Sequence, residues 1–289
     1  MTFAYGRVKM IENTAISRPL EVLMIETYKL WENGAPLADT KIPTITYYPA
    51  CQKATDATVV IFPGGAYAFC TNYEGAGYAY LLNTLGIDAF VVDYRVSPAR
   101  FPCQLLDARR AVRFVRKNAE KFGISKDKIA VMGSSAGGHL AALVSTYREA
   151  IDGEDVDDID AEDSLPSAQI LCYPVISSDE SISHSGSYKN LLGERYGERD
   201  AFSPELIADE KTPIAFLWHT ANDSAVNVCN SYRYAETLRK LNISHELHVF
   251  PDAPHGSGVA PDRIHVREWT NLLYEWMVSI GFYHTVHLT

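Results

Sequence analysis

The chain has 289 residues, 47% of them hydrophobic and 21% charged, with 18 glycines and 14 prolines, a globular composition with enough apolar residues for a large core. No apolar run approaches the roughly 20 residues needed to cross a bilayer, and Met1–Arg7 has no continuous apolar stretch of the kind a secretory leader carries, so the reading is a cytoplasmic protein without a membrane partner. The net charge of −10 excludes a basic nucleic-acid face. Most of that excess sits in one segment, where Asp152, Glu154, Asp155, Asp157, Asp158, Asp160, Glu162 and Asp163 occur with no basic residue among them. Their spacing does not match an EF-hand loop, and the segment reads as a solvated surface loop.

In chain order, Thr58-Val59-Val60-Ile61-Phe62 is a β-branched run closed by Pro63-Gly64-Gly65, and a helix is predicted from about Gly75 to Leu85, stopped at Gly86. A buried strand follows at Asp88 to Tyr94. Residues 103–121 form an amphipathic helix, with Leu105, Leu106, Ala108, Val112, Phe114, Val115 and Ala119 at helical spacing. Lys128 to Met132 is the next strand and leads into a helix of small residues starting near Gly138. After the acidic segment come a strand at Gln169 to Tyr173, a polar stretch from Ser177 to Asp209, a strand at Ile214 to Trp218, a helix over 226–241, a strand at Glu246 to Phe250 and a closing helix over about 263–279. Continuous apolar strands alternating with helices imply a mostly parallel sheet covered on both faces, an α/β class. With no second core, repeat or low-complexity linker, residues 1–289 read as one domain, in which the irregular stretch 150–210 forms a small cap or rim. The five cysteines, Cys51, Cys70, Cys103, Cys172 and Cys229, are odd in number and lack a C-x-x-C, and read as incidental thiols.

Gly133-Ser134-Ser135-Ala136-Gly137 lies between a predicted strand and a predicted helix. That is the setting of a G-x-S-x-G nucleophile elbow, in which a serine on a strained turn exposes its hydroxyl and larger residues in place of the glycines would collide with neighbouring elements. Ser135 is therefore the candidate nucleophile. Acyl transfer also needs a base, a carboxylate to hold the base and amides to hold the oxyanion. Asp223, in Trp218-His219-Thr220-Ala221-Asn222-Asp223, follows one strand, and His255, in a proline- and glycine-rich loop, follows the last. Asp252 competes as the acid, but it lies only three residues before His255, whereas a carboxylate from another strand end can reach the imidazole from behind. The amides of Gly65 and Ala66, after the strand ending at Phe62, join that of Ala136, at a helix N-terminus, as the expected oxyanion donors.

Tyr67, Tyr73 and Tyr188 are the candidate substrate contacts, suited to a polar ligand better than to a long acyl chain. His245 and His248, three apart on a strand, point to opposite faces and make no joint metal site. His139, one helical turn past Ser135, reads as a packed residue rather than an acid–base group. No metal or cofactor is implied.

Pro63-Gly64-Gly65-Ala66-Tyr67, Asp93-Tyr94-Arg95-Val96-Ser97-Pro98, the elbow with its trailing Gly138-His139-Leu140-Ala141, Tyr173-Pro174-Val175-Ile176-Ser177, Asn190-Leu191-Leu192-Gly193, His219 to Val226 and Pro254-His255-Gly256 together resemble the α/β-hydrolase superfamily. Within it the chain resembles the carbohydrate acetyl esterases, an acetylxylan-esterase-like branch related to the hormone-sensitive-lipase-like esterases. Proline and alanine stand where the commonest oxyanion loop has histidine and glycine. The resemblance implies an α/β-hydrolase fold and a serine esterase that removes acetyl or other short acyl groups from sugars, acting on a small-molecule ester; a homodimer is open on base rates alone. A general short-chain carboxylesterase, an arylformamidase-like amidase and a catalytically inert ligand-binding module of the same fold are the other readings.

Overall fold

The computed structural model describes residues 24–37, 41–154 and 156–283. Met1–Arg7, which carry the leader reading, and Asp155 of the acidic segment lie outside the described residues.

The strands are β1 (Glu26–Lys29), β2 (Thr44–Tyr48), β3 (Thr58–Phe62), β4 (Asp88–Asp93), β5 (Ile129–Ser134), β6 (Ala168–Cys172), β7 (Ile214–Thr220) and β8 (His245–Phe250). They form one sheet in the order β1-β2-β4-β3-β5-β6-β7-β8. The pairs from β4 through β8 are parallel, while β1 and β2 run antiparallel at one edge. Every residue of β3, β5 and β6 is buried, because helices cover both faces of the sheet and no side of these strands meets water.

The helices are α1 (Asn72–Thr84), α2 (Cys103–Lys117), α3 (Ala119–Phe122), α4 (Ala136–Thr146), α5 (Ser185–Leu192), α6 (Pro204–Ile207), α7 (Cys229–Lys240), α8 (Ile264–Arg267) and α9 (Trp269–Ser279), with a 3-10 segment at Gly193–Phe202. Strand alternation divides the core in two. Val60, Phe62 and Val131 pack with residues of α2, α4 and α7, whereas Val59, Ile61 and Met132 pack with Tyr78 and Leu82 of α1 and Trp269 and Leu273 of α9.

Three expectations shift. The 103–121 helix breaks at Asn118, whose backbone is not helical and whose Nδ2 donates back to the Phe114 carbonyl at 2.8 Å, a side-chain bond that competes with helix continuation. The closing helix divides into α8 and α9. The polar stretch from Ser177 contains α5, the 3-10 segment and α6, and α5 buries Tyr188, Leu191 and Leu192, a short apolar stripe at helical spacing.

The acidic segment is not a freely solvated loop. It packs on α2, which carries Arg109, Arg110, Arg113, Arg116 and Lys117. Arg110 makes a two-pronged contact with Asp157 at 2.6 and 2.7 Å and a third with Asp160 at 2.9 Å. Arg109 and Arg113 share Glu154, at 2.9 and 3.2 Å. Lys117 meets Asp158 at 3.0 Å. The segment therefore belongs to this flank of the sheet rather than to the rim, and of the stretch 150–210 it is the α5 region that approaches the candidate site.

Charge matching alone does not predict the energetics of this clamp; burial does. The Arg110 and Asp160 side chains are each 2% exposed, whereas Asp157 is 41% exposed. Replacing Arg110 by methionine leaves the buried Asp160 only the more distant Arg113, at 3.7 Å, and should cost about 3 kcal/mol, while Asp157→Asn should cost less than about 1 kcal/mol. Urea unfolding of the two variants against wild type measures both.

Candidate active site

β5 ends at Ser134, and the chain turns at Ser135 with φ 53° and ψ −120° before α4 begins at Ala136. Such a backbone is strained for a residue with a Cβ. It is held from three sides: the Ser135 amide donates to the Cys172 carbonyl, and the Ser135 carbonyl accepts from the amides of His139 and Val175, each at 3.0 Å. The turn requires close approach on both flanks. A Cβ on Gly133 would strike the Gly137 carbonyl, and one on Gly137 would strike the carbonyls of Phe62 and Pro63.

Parallel strands bring β7 and β8 alongside this turn with their C-terminal ends on the same side. His255, in the loop after β8, has Nε2 2.8 Å from the Ser135 hydroxyl and Nδ1 2.7 Å from Asp223 Oδ2. An ionised carboxylate only accepts, so Nδ1 carries the proton and Nε2 is free to accept from the serine. Asp223 Oδ1 also accepts from the amides of Ala225 and Val226, each at 2.9 Å. Burial opposes ionisation of Asp223, but bonds from His219 and His255 and the Val226 amide outweigh it and hold the carboxyl well below the usual carboxylate range. Asp252 instead accepts from Asn222 at 2.8 Å, on the exposed side of the loop.

The loop after β3 lies against the serine. Gly65, Ala66 and Tyr67 all have positive φ, at 132°, 54° and 58°, which for the last two costs on the order of 1–2 kcal/mol each. Surrounding elements enforce it. The Tyr94 hydroxyl donates to the Pro63 carbonyl at 2.6 Å, the Ser97 amide to the Tyr67 carbonyl at 2.7 Å, and Asn190 Nδ2 to the Ala66 carbonyl at 2.9 Å. The buried Glu74 carboxylate accepts from the Gly64 amide at 3.0 Å and the Thr71 hydroxyl at 2.6 Å on one oxygen, and from the Tyr173 hydroxyl at 2.7 Å on the other. The same Tyr173 oxygen accepts from the Gly258 amide at 3.0 Å. Glu74 thus links the β3 loop to the loop that carries His255. Among the described residues the amides of Gly65 and Ala66 have no protein acceptor, and Ala136 is the first residue of α4, where amides have no partner within the helix.

Ser135, His255, Gly65, Ala66, Tyr73 and His184 line a cavity of about 210 Å³. Two sequence candidates are not part of it. Tyr67 is fully buried with its hydroxyl 2.8 Å from His139 Nδ1, and Tyr188 is buried with its hydroxyl donating to the Ile176 carbonyl at 2.7 Å. The left-handed turn at Ala66-Tyr67 sends the first ring under the loop, and α5 turns the second into the core. Of the three tyrosines, Tyr73 faces the cavity.

A protein-family model described as BD-FAE matches residues 46–238. The chain belongs to the BD-FAE family. It is 34% identical over 227 residues to the endo-1,4-beta-xylanase B of Butyrivibrio fibrisolvens, a match that covers 76% of this chain and 35% of the relative. It is 31% identical over 231 residues to the acetylxylan esterase of Xylanibacter ruminicola, covering 76% of this chain and 44% of the relative. The chain therefore spans less than half the length of these two relatives. The crystal structure of an acetyl ester-xyloside bifunctional hydrolase from Caldicellulosiruptor lactoaceticus superimposes with a TM-score of 0.83 at 40% identity, over 90% of this chain and 97% of that one. The fold is the α/β-hydrolase fold.

Three residues of this family member escaped the sequence reading. Glu74 lies just ahead of the predicted helix, in the first turn of α1, with no motif to mark it. His219 is buried in β7, four residues before Asp223. Its Nε2 donates to the Val226 carbonyl at 2.9 Å and lies 3.4 Å from Asp223 Oδ2, while its Nδ1 pairs with the Ser231 hydroxyl at 2.8 Å. His184 enters from the polar stretch. Only for His219 did the sequence hold a local signal, a histidine in the segment that carries the acid.

His139 is packed between the Tyr67 hydroxyl and the Phe202 carbonyl, each at 2.8 Å. Burial pushes its pKa down to about 4. The unfolded chain, with an imidazole near 6.5, binds this proton first, so the contribution to stability is complete above about pH 6.5 and is lost as pH falls toward 4, by about 3 kcal/mol. Denaturant unfolding at pH 7 and pH 4.5 should show a smaller drop for His139→Gln than for wild type.

Proposed function

We propose that this chain is a serine esterase that removes acetyl or similarly short acyl groups from sugars through an acyl-enzyme intermediate. The observation that carries the reading is the continuous hydrogen-bonded line from the Ser135 hydroxyl through His255 to Asp223, beside the amides of Gly65 and Ala66, which have no protein acceptor among the described residues. In this reading His255 Nε2 takes the Ser135 proton as Oγ attacks the ester carbonyl. The amides of Gly65, Ala66 and Ala136 hold the oxyanion, and Asp223 stabilises the imidazolium. The imidazolium then protonates the departing alcohol, and a water activated by the same imidazole releases the acid.

Size supports a short acyl group. At about 210 Å³ the cavity around Ser135, below the roughly 300–1,000 Å³ typical of sites for larger ligands, has room for a short acyl group and the alcohol atoms next to it but not for a long acyl chain. The sugar half rests on the relatives, two of which are named for acetylxylan and acetyl ester-xyloside hydrolysis.

Ser135→Ala should lower kcat for p-nitrophenyl acetate by at least about 10³-fold, and Asp223→Asn by up to about 10⁴-fold, with thermal unfolding close to wild type for both. Unchanged turnover in Ser135→Ala would refute the assignment. Acetate release from acetylated xylo-oligosaccharides, set against hydrolysis of butyryl esters and of N-formylkynurenine, decides the substrate class: preference for the acetylated sugar is expected, and preference for either alternative overturns the sugar assignment.

A further inference from the structure

We propose that His184 is the residue that recognises the alcohol half of the ester, donating a hydrogen bond from Nε2 to a hydroxyl or ring oxygen of the sugar that carries the acyl group. The inference rests on the esterase reading above and adds a specificity residue to it.

His184 immediately precedes α5 and lines the same cavity as Ser135 and His255. Its ring is oriented from behind. Nδ1 accepts from the Ser187 amide at 3.2 Å and lies 2.8 Å from the Ser187 hydroxyl. An amide N–H can only donate, so Nδ1 holds a lone pair and the proton of the neutral ring resides on Nε2. Among the described residues Nε2 has no protein partner, and Ser187, which sets the ring, is itself 1% exposed. The result is a single N–H donor with a defined tautomer at the cavity that holds the serine.

The surroundings keep it a neutral donor. Burial first, and the neighbouring His255 second, lower its pKa, against an opposing pull from Asp223. A neutral ring whose Nδ1 is already occupied neither repels the imidazolium that forms on His255 nor competes with it as a base. α5 also fixes where the donor sits: the helix that begins beside His184 carries Asn190, which binds the Ala66 carbonyl at 2.9 Å. Donor and oxyanion loop are thus tied to one short element.

A partner oxygen is needed to use this donor. A sugar ester presents hydroxyls next to the acylated position, whereas an aryl acetate presents none. A site with a donor aimed at such a group discriminates against analogues that lack it.

The test separates recognition from capping. His184→Asn keeps a side-chain oxygen able to accept the Ser187 amide, since asparagine is a good N-cap residue, but removes the Nε2 donor. Steady-state kinetics of wild type and His184→Asn are measured with acetylated xylo-oligosaccharides and with phenyl acetate, alongside thermal unfolding. The expected result is a fall in kcat/KM of about 10- to 100-fold on the sugar, the loss of one good hydrogen bond, with phenyl acetate within about 3-fold of wild type. Equal loss on both substrates, or no loss on the sugar, overturns the assignment of His184 and leaves the esterase reading standing. Wild type that cleaves phenyl acetate but not the sugar ester overturns the sugar reading and this assignment together, and wild type inactive on both overturns the esterase reading itself.

Discussion

The backbone at Ser135 is the constraint on which the rest of the site depends. A residue with a side chain is held at φ 53° between a buried strand and a buried helix, and it stays there because three backbone hydrogen bonds and two glycine contacts leave no relaxed alternative. The bonds come from Cys172 and Val175, on either side of the end of β6, and from His139 in α4. Of the contacts, that of Gly137 comes from the end of β3 through Phe62 and Pro63, and that of Gly133 from Gly137 across the turn. Three consecutive positions in the sheet therefore converge on one residue, and the hydroxyl is aimed by the core rather than by its own loop.

A second layer does the same for the loops. The β3 loop carries two non-glycine residues in the left-handed region, which no local preference would select. Hydroxyls, an asparagine amide and the Glu74 carboxylate hold it instead, and each comes from a different element. Glu74 bridges the β3 loop and the β8 loop through Tyr173. Asp223 is similarly over-determined, by two backbone amides and two imidazoles. The segments that carry the family resemblance, from Asp93 to Pro98, from Tyr173 to Ser177 and at Asn190, are largely the segments that supply these braces.

Electrostatics divides the molecule. The net charge of −10 says little about the site, because the acidic excess is clamped against the arginines of α2 on a flank of the sheet. Around Ser135 the decisive charges are few and buried: Glu74 and Asp223, each satisfied by hydrogen bonds. In a medium of low dielectric such groups act strongly on their neighbours, so small changes there should matter more than large changes in surface charge.

Much of this was legible in one dimension. The parallel strands showed as continuous apolar runs because both their faces are covered. Ser135, Asp223 and His255 stood out because each lies in a turn-rich loop just past such a run, and parallel strands end on one side of the sheet. β2 could have been read from the alternation Thr44-Ile45-Thr46-Tyr47-Tyr48. Other features have no local signature. The fates of Tyr67 and Tyr188 depend on which way a strained loop and a short helix turn their rings; the pairing of the acidic segment with α2 joins residues some 45 positions apart in sequence; and Glu74, His219 and His184 matter through what they touch. Local propensity and periodicity determined the strands, most helices and the placement of the candidate site residues at strand ends, since these follow from short-range sterics and burial. Which polar groups meet, and which tyrosine faces the cavity, was decided by tertiary packing alone, because a hydrogen bond between distant segments exists only once the sheet has brought them together.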